Sequence, residues 1–350
     1  MTAGRAGYSL ERVEDVEQLE DLLSEPTASA VETMARLSGD LTLLGVGGKM
    51  GPTLARMARR ADEAAGVKRR ILGVSRFSDA RQRQRLESHG IETISCDLLD
   101  AEQLARLPDV ANVVFMTGMK FGATGNESRT WAMNAFLPGM VAQKYRRSRI
   151  VAFSTGNVYG MSPVHLGGSL EDDVPRPVGE YSQSALGRER VFEHFSRTHG
   201  TPMTTLRLNY ATELRYGVLV DVARKVHAGE AVGLTMGHFN VLWQGDANAM
   251  ALGALAQVAS PPLVVNLAGP ELLSVRRVAE AFGRLFGKAV TFEGSESGDA
   301  FLSNGQLGHR LFGYPRVGPH QMIAWVADWV KRGGPSLDRP THFEVRDGNF

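Results

Sequence analysis

Cysteine is almost absent from this sequence: Cys96 is the single one in 350 residues. One cysteine cannot form an intramolecular disulfide, and a metal site built from several cysteines is excluded. This usage is typical of a reducing compartment, so we expect a cytoplasmic protein. The nine histidines are scattered without HxxxH or HxH spacing, and we therefore expect no metal site.

Long apolar runs are also missing, and none approaches the roughly 18 residues of a membrane-spanning helix. The first residues, MTAGRAGYSLERVEDVEQLEDLL, are interrupted by charges and lack the apolar core of a signal peptide. Neither sign of charge is in excess, because 39 Lys and Arg face 38 Asp and Glu, giving a formal net charge of +1. We therefore expect neither a nucleic acid nor a membrane surface as partner.

Short apolar runs alternate with helical patterns through the first two thirds of the chain. The runs lack the polar alternation of half-exposed strands, which predicts a parallel sheet covered by helices on both faces. The sequence thus indicates an α/β protein with a doubly wound, Rossmann-type sheet. The predicted strands lie at residues 41–44, 71–74, 113–116, 149–156, 203–210 and 262–269, with one more ending near Asp97.

A glycine-rich turn, GVGGKMG, follows the first predicted strand and precedes a helical pattern. Gly45, Gly48 and Gly51 form a GxxGxxG motif around Lys49 and Met50. Glycine permits positive φ and lets a pyrophosphate approach bare backbone, while the amides of the next helix hold its charge. This context predicts a dinucleotide-binding loop, with a tight structural turn as the alternative.

The end of the second strand bears on the choice between NAD and NADP. It contains Ser75 and Arg76, and no carboxylate follows until Asp79. A carboxylate would hold the ribose 2′-hydroxyl of NAD, whereas a serine–arginine pair suits the 2′-phosphate of NADP. We therefore predict NADP, with NAD as the alternative. Lys49 could supply a second positive charge to the 2′-phosphate. The alternative is that Arg76 and Lys49 are solvated surface cations.

From about residue 41 to 325 the chain resembles the extended short-chain dehydrogenase/reductase superfamily, in its NAD(P)-dependent epimerase/dehydratase family. Besides the glycine loop, further segments resemble that family in the same order along the chain. They are Asp97-Leu98 (adenine contact), Thr117-Gly118 (beneath the nicotinamide ribose), Asn134 in the next helix, STGNVYG at residues 154–160, and Glu171-Asp172, Pro177 and Tyr181.

The resemblance implies a catalytic group of Ser154, Thr155 and Tyr181. Thr155 would hydrogen-bond the substrate oxygen, and Tyr181 would pass a proton to or from it. Without catalysis, Thr155 would cap a turn at a strand end and Tyr181 would be an ordinary aromatic at a helix start. Tyr159 is expected to pack rather than to react.

The family's Tyr-x-x-x-Lys motif is broken, because Ala185 stands at the lysine position. Free tyrosine has a pKa of about 10, and a lysine ~5 Å away lowers it by roughly two units. Lys120, after the fourth strand, is a candidate replacement that could also hold the cofactor. Arg188, two helical turns beyond Tyr181, is another. Both could equally be surface cations, and for Arg188 a surface ion pair is the favoured interpretation.

The function we predict is NAD(P)-dependent hydride transfer at a carbinol or keto carbon of a small, sugar-like substrate, as in an epimerase or reductase. Gly156 and Asn157 replace the Asp-Glu pair of the family's dehydratases, which disfavours elimination. The alternative function is a catalytically impaired NAD(P)-binding sensor or scaffold protein.

The family's Arg-x-x-Asn-x-Tyr-Gly-Pro run is altered here, which weakens the expectation of a nucleotide-linked sugar. The candidate substrate contacts are Asn157, Asn209, Tyr210 and Arg215, with loop packing as the alternative for the last three.

We divide the chain into a helical extension (1–40), an NAD(P)-binding Rossmann domain (41–210) and a mainly substrate-binding subdomain (211–350) with a late strand near 262–269. The polar tail PTHFEVRDGNF stays unassigned. In this family the helices after the fourth strand and at Tyr181 often form a dimer, so a homodimer is consistent with the sequence.

Overall fold

Seven strands form one parallel sheet in the computed structural model, which describes residues 10–120 and 122–349. The strand order is β7-β6-β5-β4-β1-β2-β3, so the chain starts in the middle, builds to one edge and then crosses to the other side. This is the predicted doubly wound topology. The strands are β1 (Leu41–Leu44), β2 (Ile71–Ser75), β3 (Glu92–Ser95), β4 (Asn112–Phe115), β5 (Arg149–Thr155), β6 (Met203–Leu208) and β7 (Leu263–Leu267).

Burial along the strands follows their place in the sheet. β1 and β4 are central and buried at every residue, as expected for strands covered on both faces. The edge strand β3 instead exposes Glu92 and Ser95. It ends at Ser95 rather than near Asp97, and β6 ends at Leu208, two residues earlier than predicted.

Helices cover both faces of the sheet. A π-helical turn at Ala132–Phe136 joins α6 to α7, and such turns are frequent at functional sites. The helices are α1 (Val16–Leu23), α2 (Ala28–Arg36), α3 (Gly51–Ala65), α4 (Ala80–Ser88), α5 (Ala101–Arg106), α6 (Glu127–Trp131), α7 (Leu137–Lys144), α8 (Gly179–His199), α9 (Val218–Ala228), α10 (Gln244–Gly253), α11 (Val275–Phe286), α12 (Gln306–Phe312) and α13 (Pro319–Lys331).

The helices α1 and α2 precede the sheet and pack on α3 and α10. Asn248 Nδ2 donates to the carbonyl oxygen of Leu23 (3.1 Å), and Arg60 Nη1 donates to that of Asp21 (2.7 Å). The two helices therefore pack on α3 and α10, and the domain bounds drawn from the sequence stay a prediction. Within the described residues, α1 starts at Val16, later than the apolar pattern from Leu10 suggests.

A second core lies beyond the sheet, where α9, α11 and α13 pack together. Trp243 and Trp325 meet there with ring centres 5.6 Å apart. The chain after α13 forms neither helix nor strand over residues 332–349, yet Phe343 is buried in this core. No helix among the described residues has the length and apolar character to cross a bilayer.

Candidate active site

The glycine loop joins β1 to α3 with its backbone exposed on one side. Gly45 has φ +90°, and a side chain there would meet Thr117 Oγ1 at 2.6 Å. A side chain at Gly51 would overlap the carbonyl oxygen of Val46, so the helix start packs directly on the loop. At Gly48 the nearest atom to an added Cβ is 3.4 Å away, which leaves bare backbone open at the N-terminus of a 15-residue helix. That arrangement suits a phosphate group.

Thr117 supplies an independent sign of a bound group at this edge. Its Oγ1 is buried and has no hydrogen-bond partner among the described residues. Buried hydroxyls are normally satisfied. Together with the open backbone at Gly48, this orphaned oxygen fits a dinucleotide lying along the carboxyl edge of the sheet.

A cavity of about 660 Å³ extends from the glycine loop to α4. Gln82 Nε2 donates to the carbonyl oxygen of Gly47 (3.1 Å), and Asp79 uses its carboxylate to cap α4 by accepting from Arg81 N (2.9 Å). Arg76, just after β2, is exposed. The basic residues that line this cavity are Lys49, Arg56, Arg81, Arg85, Arg215 and Arg339, and the acidic ones are Glu20 and Asp79.

Lys49 contacts residues of the second half of the chain, so a role beside Ser75 and Arg76 at a 2′-phosphate stays a prediction. Its Nζ donates to the carbonyl oxygen of Ala211 (3.1 Å) and lies 3.7 Å from the centre of the Tyr216 ring. Burial lowers the pKa of Lys49 to about 7.

The end of β5 and the first turn of α8 bring Thr155 and Tyr181 together. Their side chains share a hydrogen bond. Thr155 Oγ1 also accepts from Asn157 N (3.2 Å), which fixes the hydroxyl at the strand end. Burial raises the pKa of Tyr181, and the Thr155 hydrogen bond and the charge of Arg188 oppose that shift.

Beside this pair lies a second cavity of about 160 Å³. Lys120 Nζ donates to the carbonyl oxygen of Thr341 (3.2 Å) and lies 6.0 Å from the centre of the Tyr181 ring. Burial lowers the pKa of Lys120 to about 8, opposed by the charge of Asp221. The polar residues that line the cavity are Lys49, Lys120, Thr155, Asn157, Tyr210, Tyr216 and Thr341, with Met50 among the apolar ones.

Ala185 is buried against Val158 and Tyr159. Arg188 is buried too, contrary to the favoured interpretation as a surface ion pair. Its Nη1 donates to the carbonyl oxygen of Phe153 (2.7 Å). A Cβ at Gly118 would lie 2.6 Å from Arg188 Nη2, so the guanidinium lies directly against the loop that follows β4.

Asn134 holds that loop from the middle of the π-helical turn. Its Oδ1 accepts from Met119 N (2.8 Å) and from Arg188 Nη2 (2.9 Å). Its Nδ2 donates to the carbonyl oxygen of Met119 (2.9 Å) and to Ser184 Oγ (3.0 Å). Asn134 therefore fixes the backbone next to Thr117, Gly118 and Lys120.

Three predicted site residues lie outside the catalytic group. Ser154 Oγ donates to Glu189 Oε1 (2.5 Å), part of a buried ion pair with Arg207. Asn209 is buried and donates through Nδ2 to Asn240 Oδ1 (2.6 Å). Arg215 pairs with glutamates and lines the larger cavity instead of the one at Thr155.

Asp97 and Leu98, the predicted adenine contacts, follow β3. Asp97 is exposed and accepts through Oδ1 from Leu99 N (3.1 Å), and Leu98 is buried.

The smaller cavity also contains residues that sequence reasoning missed: Leu208, Ala211, Tyr216, Gly217, Val218 and Thr341. All six come from the second half of the chain. Among them, the glycine at position 217 is a signal in the sequence, because its φ of +135° at the start of α9 is a conformation that favours glycine.

Solved structures of similar fold include sugar-nucleotide enzymes. UDP-glucuronic acid 4-epimerase from Bacillus cereus, solved with UDP-glucuronic acid and NAD, is 17% identical; the match covers 84% of this chain and 99% of that one, with a TM-score of 0.68. UDP-glucose 4-epimerase from Thermus thermophilus, solved with NAD, is 19% identical. That match covers 83% of this chain and 99% of the epimerase, with a TM-score of 0.67. UDP-glucose 4-epimerase from Thermotoga maritima, solved with UDP-glucose, is 16% identical. That match covers 84% of this chain and 99% of the epimerase, also with a TM-score of 0.67. At these identities the likeness shows the fold.

No curated protein sequence matches this chain. A sequence model of the NAD dependent epimerase/dehydratase family matches residues 41–248, from β1 into α10. That stretch includes the glycine loop, the loop after β4 and the Thr155–Tyr181 pair. The chain belongs to the NAD dependent epimerase/dehydratase family.

Proposed function

We propose that this protein is an NAD(P)-dependent oxidoreductase or epimerase that acts at a carbinol or keto carbon of a small, sugar-like substrate. The observation that carries the proposal is the hydrogen bond between Thr155 and Tyr181 at the carboxyl edge of the sheet. Open backbone at Gly48 and the orphaned Thr117 hydroxyl lie on the same edge.

In this proposal the hydroxyls of Thr155 and Tyr181 have separate roles. Bound nicotinamide would accept or supply the hydride. Thr155 orients the substrate oxygen by a hydrogen bond, while Tyr181 Oη gives a proton to that oxygen or takes one from it. Lys49, Met50, Thr117 and Lys120 lie where they would hold the cofactor.

Tyr181 is the proton donor in this proposal. Burial raises its pKa, so the phenol carries its proton at neutral pH and can donate it to a keto oxygen; in the reverse direction Tyr181 must first lose that proton. The charge of Arg188 opposes the rise in the pKa of Tyr181, and Lys120 Nζ lies 6.0 Å from the centre of its ring.

For the cofactor we propose NADP rather than NAD. Asp79 is engaged in capping α4. Ser75 ends β2 and Arg76 follows it, while Arg81 at the start of α4 lines the larger cavity. Charge-assisted hydrogen bonds from such groups suit a 2′-phosphate. Since the solved neighbours contain NAD, NAD is the competing choice.

Fluorescence titration with NADPH and NADH tests the cofactor proposal. Arg76→Ala should weaken NADPH binding by roughly tenfold or more, because a hydrogen bond to a charged group contributes about 1.5–3 kcal/mol, and should leave NADH binding unchanged. Arg83→Ala is the matched control, since Arg83 pairs with Glu87 on the same helix. Tighter binding of NADH than of NADPH to the wild type would overturn the choice of NADP.

A second candidate function is a catalytically impaired NAD(P)-binding sensor or scaffold, and Ala185 is the observation that favours it. Measuring whether the protein oxidises or reduces the cofactor distinguishes the enzyme from the sensor. The enzyme proposal expects oxidation or reduction of the cofactor with at least one of a panel of aldoses, ketoses and sugar nucleotides. A protein that binds the cofactor tightly but turns over none of them supports the sensor.

We also propose a homodimer through the helices around the π-helical turn. Trp131 and Phe136 are exposed there, at 38% and 63%. Sedimentation velocity of the wild type and of Phe136→Glu tests this: a dimer that dissociates on substitution supports it, and a monomeric wild type refutes it.

A further inference from the structure

The C-terminal segment, residues 335–349, crosses the cleft in which Thr155 and Tyr181 lie. At its middle, Thr341 donates through N (2.8 Å) and Oγ1 (2.6 Å) to Asp221 Oδ2 of α9. The carbonyl oxygen of the same residue accepts from Lys120 Nζ. Thr341 thus joins the subdomain to the loop after β4 and forms one wall of the smaller cavity.

The segment is fixed before and after this point. Trp329 Nε1 donates to the carbonyl oxygen of Pro335 (3.0 Å), and Leu337 N donates to that of Arg215 (3.1 Å). Phe343 is 2% exposed and lies edge-on to Phe239, with ring centres 6.2 Å apart. Because Phe343 is buried in this way, the segment is part of the folded core rather than a loose tail.

The far end of the segment reaches the start of α8. Arg346 Nη1 donates to the carbonyl oxygens of Thr235 (3.2 Å) and Asp299 (3.1 Å), and its Nη2 pairs with the Asp299 carboxylate. Gly348 packs so closely on Gly179 that a side chain on Gly179 would overlap its carbonyl oxygen. Gly179 is two residues before Tyr181, so the segment spans the cleft from the α9 side to the catalytic helix.

Little room remains beneath the segment. The cavity at Thr155 measures about 160 Å³, whereas pockets for drug-sized ligands are roughly 300–1,000 Å³. A sugar linked to a nucleotide is at least drug-sized. With the segment in place, such a substrate has no space between Thr155 and the subdomain.

We propose that the C-terminal segment sets the substrate size: it fills the part of the cleft that a nucleotide-linked sugar would need and restricts the site to a small, unlinked polyol or keto sugar. This inference rests on the proposed function and names its substrate class. The polar groups at the cavity, among them Thr155, Asn157 and Tyr210, suit a substrate with several hydroxyls.

Binding of UDP-glucose, measured by calorimetry, tests this inference without any need for turnover. The full chain should show no binding, while a variant that ends at Pro335 should bind at least tenfold more tightly. Equal binding to both forms overturns the inference. Binding to neither form also overturns it, since exclusion would then not depend on the segment. Titration with NADPH, run in parallel, separates this result from failure of the proposed function.

Because Phe343 is part of the core, a second variant keeps it and loosens only the polar contacts. Thr341→Gly combined with Arg346→Ala removes the hydrogen bond from Thr341 Oγ1 to Asp221 and the contacts of Arg346 with Asp299. Arg276→Ala, which loses an ion pair with Glu296 on the surface, is the control. The double variant should gain UDP-glucose binding and the control should not.

Hydrogen exchange at the amides of Leu337 and Thr341 should be unaffected by UDP-glucose in the wild type. Faster exchange at these amides together with binding would show that the segment is a displaceable cover and would overturn the inference.

Discussion

The ammonium group of Lys49 lies 3.7 Å from the centre of the Tyr216 ring, and this pair separates the two cavities of the cleft. Both residues line both cavities. Lys49 belongs to the glycine loop, where the pyrophosphate of a dinucleotide would approach Gly48. The contact therefore lies where the two halves of the cofactor would meet.

Cofactor affinity should depend on pH through Lys49. Burial lowers the pKa of Lys49 to about 7, and a neighbouring pyrophosphate favours its charged form, so its pKa is higher in the complex. Binding then takes up a proton above pH 7, and affinity falls as pH rises, by up to about tenfold per pH unit. Titrations with NADPH between pH 6 and pH 9 measure the slope. Lys49→Gln should flatten it and Lys331→Gln, on the exposed end of α13, should not; a slope that Lys49→Gln leaves unchanged contradicts the assignment.

Removing the Tyr181 hydroxyl should lower the turnover rate strongly without loss of cofactor binding. Tyr181→Phe is expected to lower the turnover rate by about 10²–10⁴, the usual contribution of a general acid or base. The dissociation constant for NADPH should change little. Tyr314→Phe, at a residue that is 73% exposed, is the control. Full turnover in Tyr181→Phe would exclude this residue as the proton donor.

The neighbouring Tyr159 should matter for stability. Its hydroxyl donates to Asn266 Oδ1 (2.8 Å) and accepts from Arg207 Nη1 (2.7 Å), and burial raises its pKa to about 12. Tyr159→Phe leaves two buried polar groups short of a partner, which should lower the free energy of unfolding by about 1–3 kcal/mol. Urea denaturation measures this change. A variant as stable as the wild type would show that the network tolerates the loss.

Restoring a lysine at position 185 should lower the pKa of Tyr181. A charge ~5 Å away contributes roughly two pKa units at an effective dielectric constant of about 20. NMR of tyrosine Cζ carbons, assigned with Tyr181→Phe, reads this pKa directly. Ala185→Met is the matched control because it adds length without charge. Equal pKa values in both variants would mean that the cation at this position does not act on Tyr181.

The sequence by itself determined the parallel sheet and predicted which residues lie at its carboxyl edge. Each signal there is local: apolar runs without alternation, three glycines at fixed spacing, and a threonine and tyrosine placed at a strand end and a helix start. Backbone sterics and burial act between residues close along the chain, so these patterns predicted the parallel fold and the family.

Tertiary packing alone decided where the charged side chains point. Lys49 bonds a carbonyl group 162 residues away, and Lys120 bonds one 221 residues away, at Thr341. Arg188 is buried because its guanidinium finds acceptors on other elements, and the unassigned tail became a wall of the site because Phe343 had a core to enter. A long side chain can follow several directions from the same backbone, and only the groups brought to it by the fold select one.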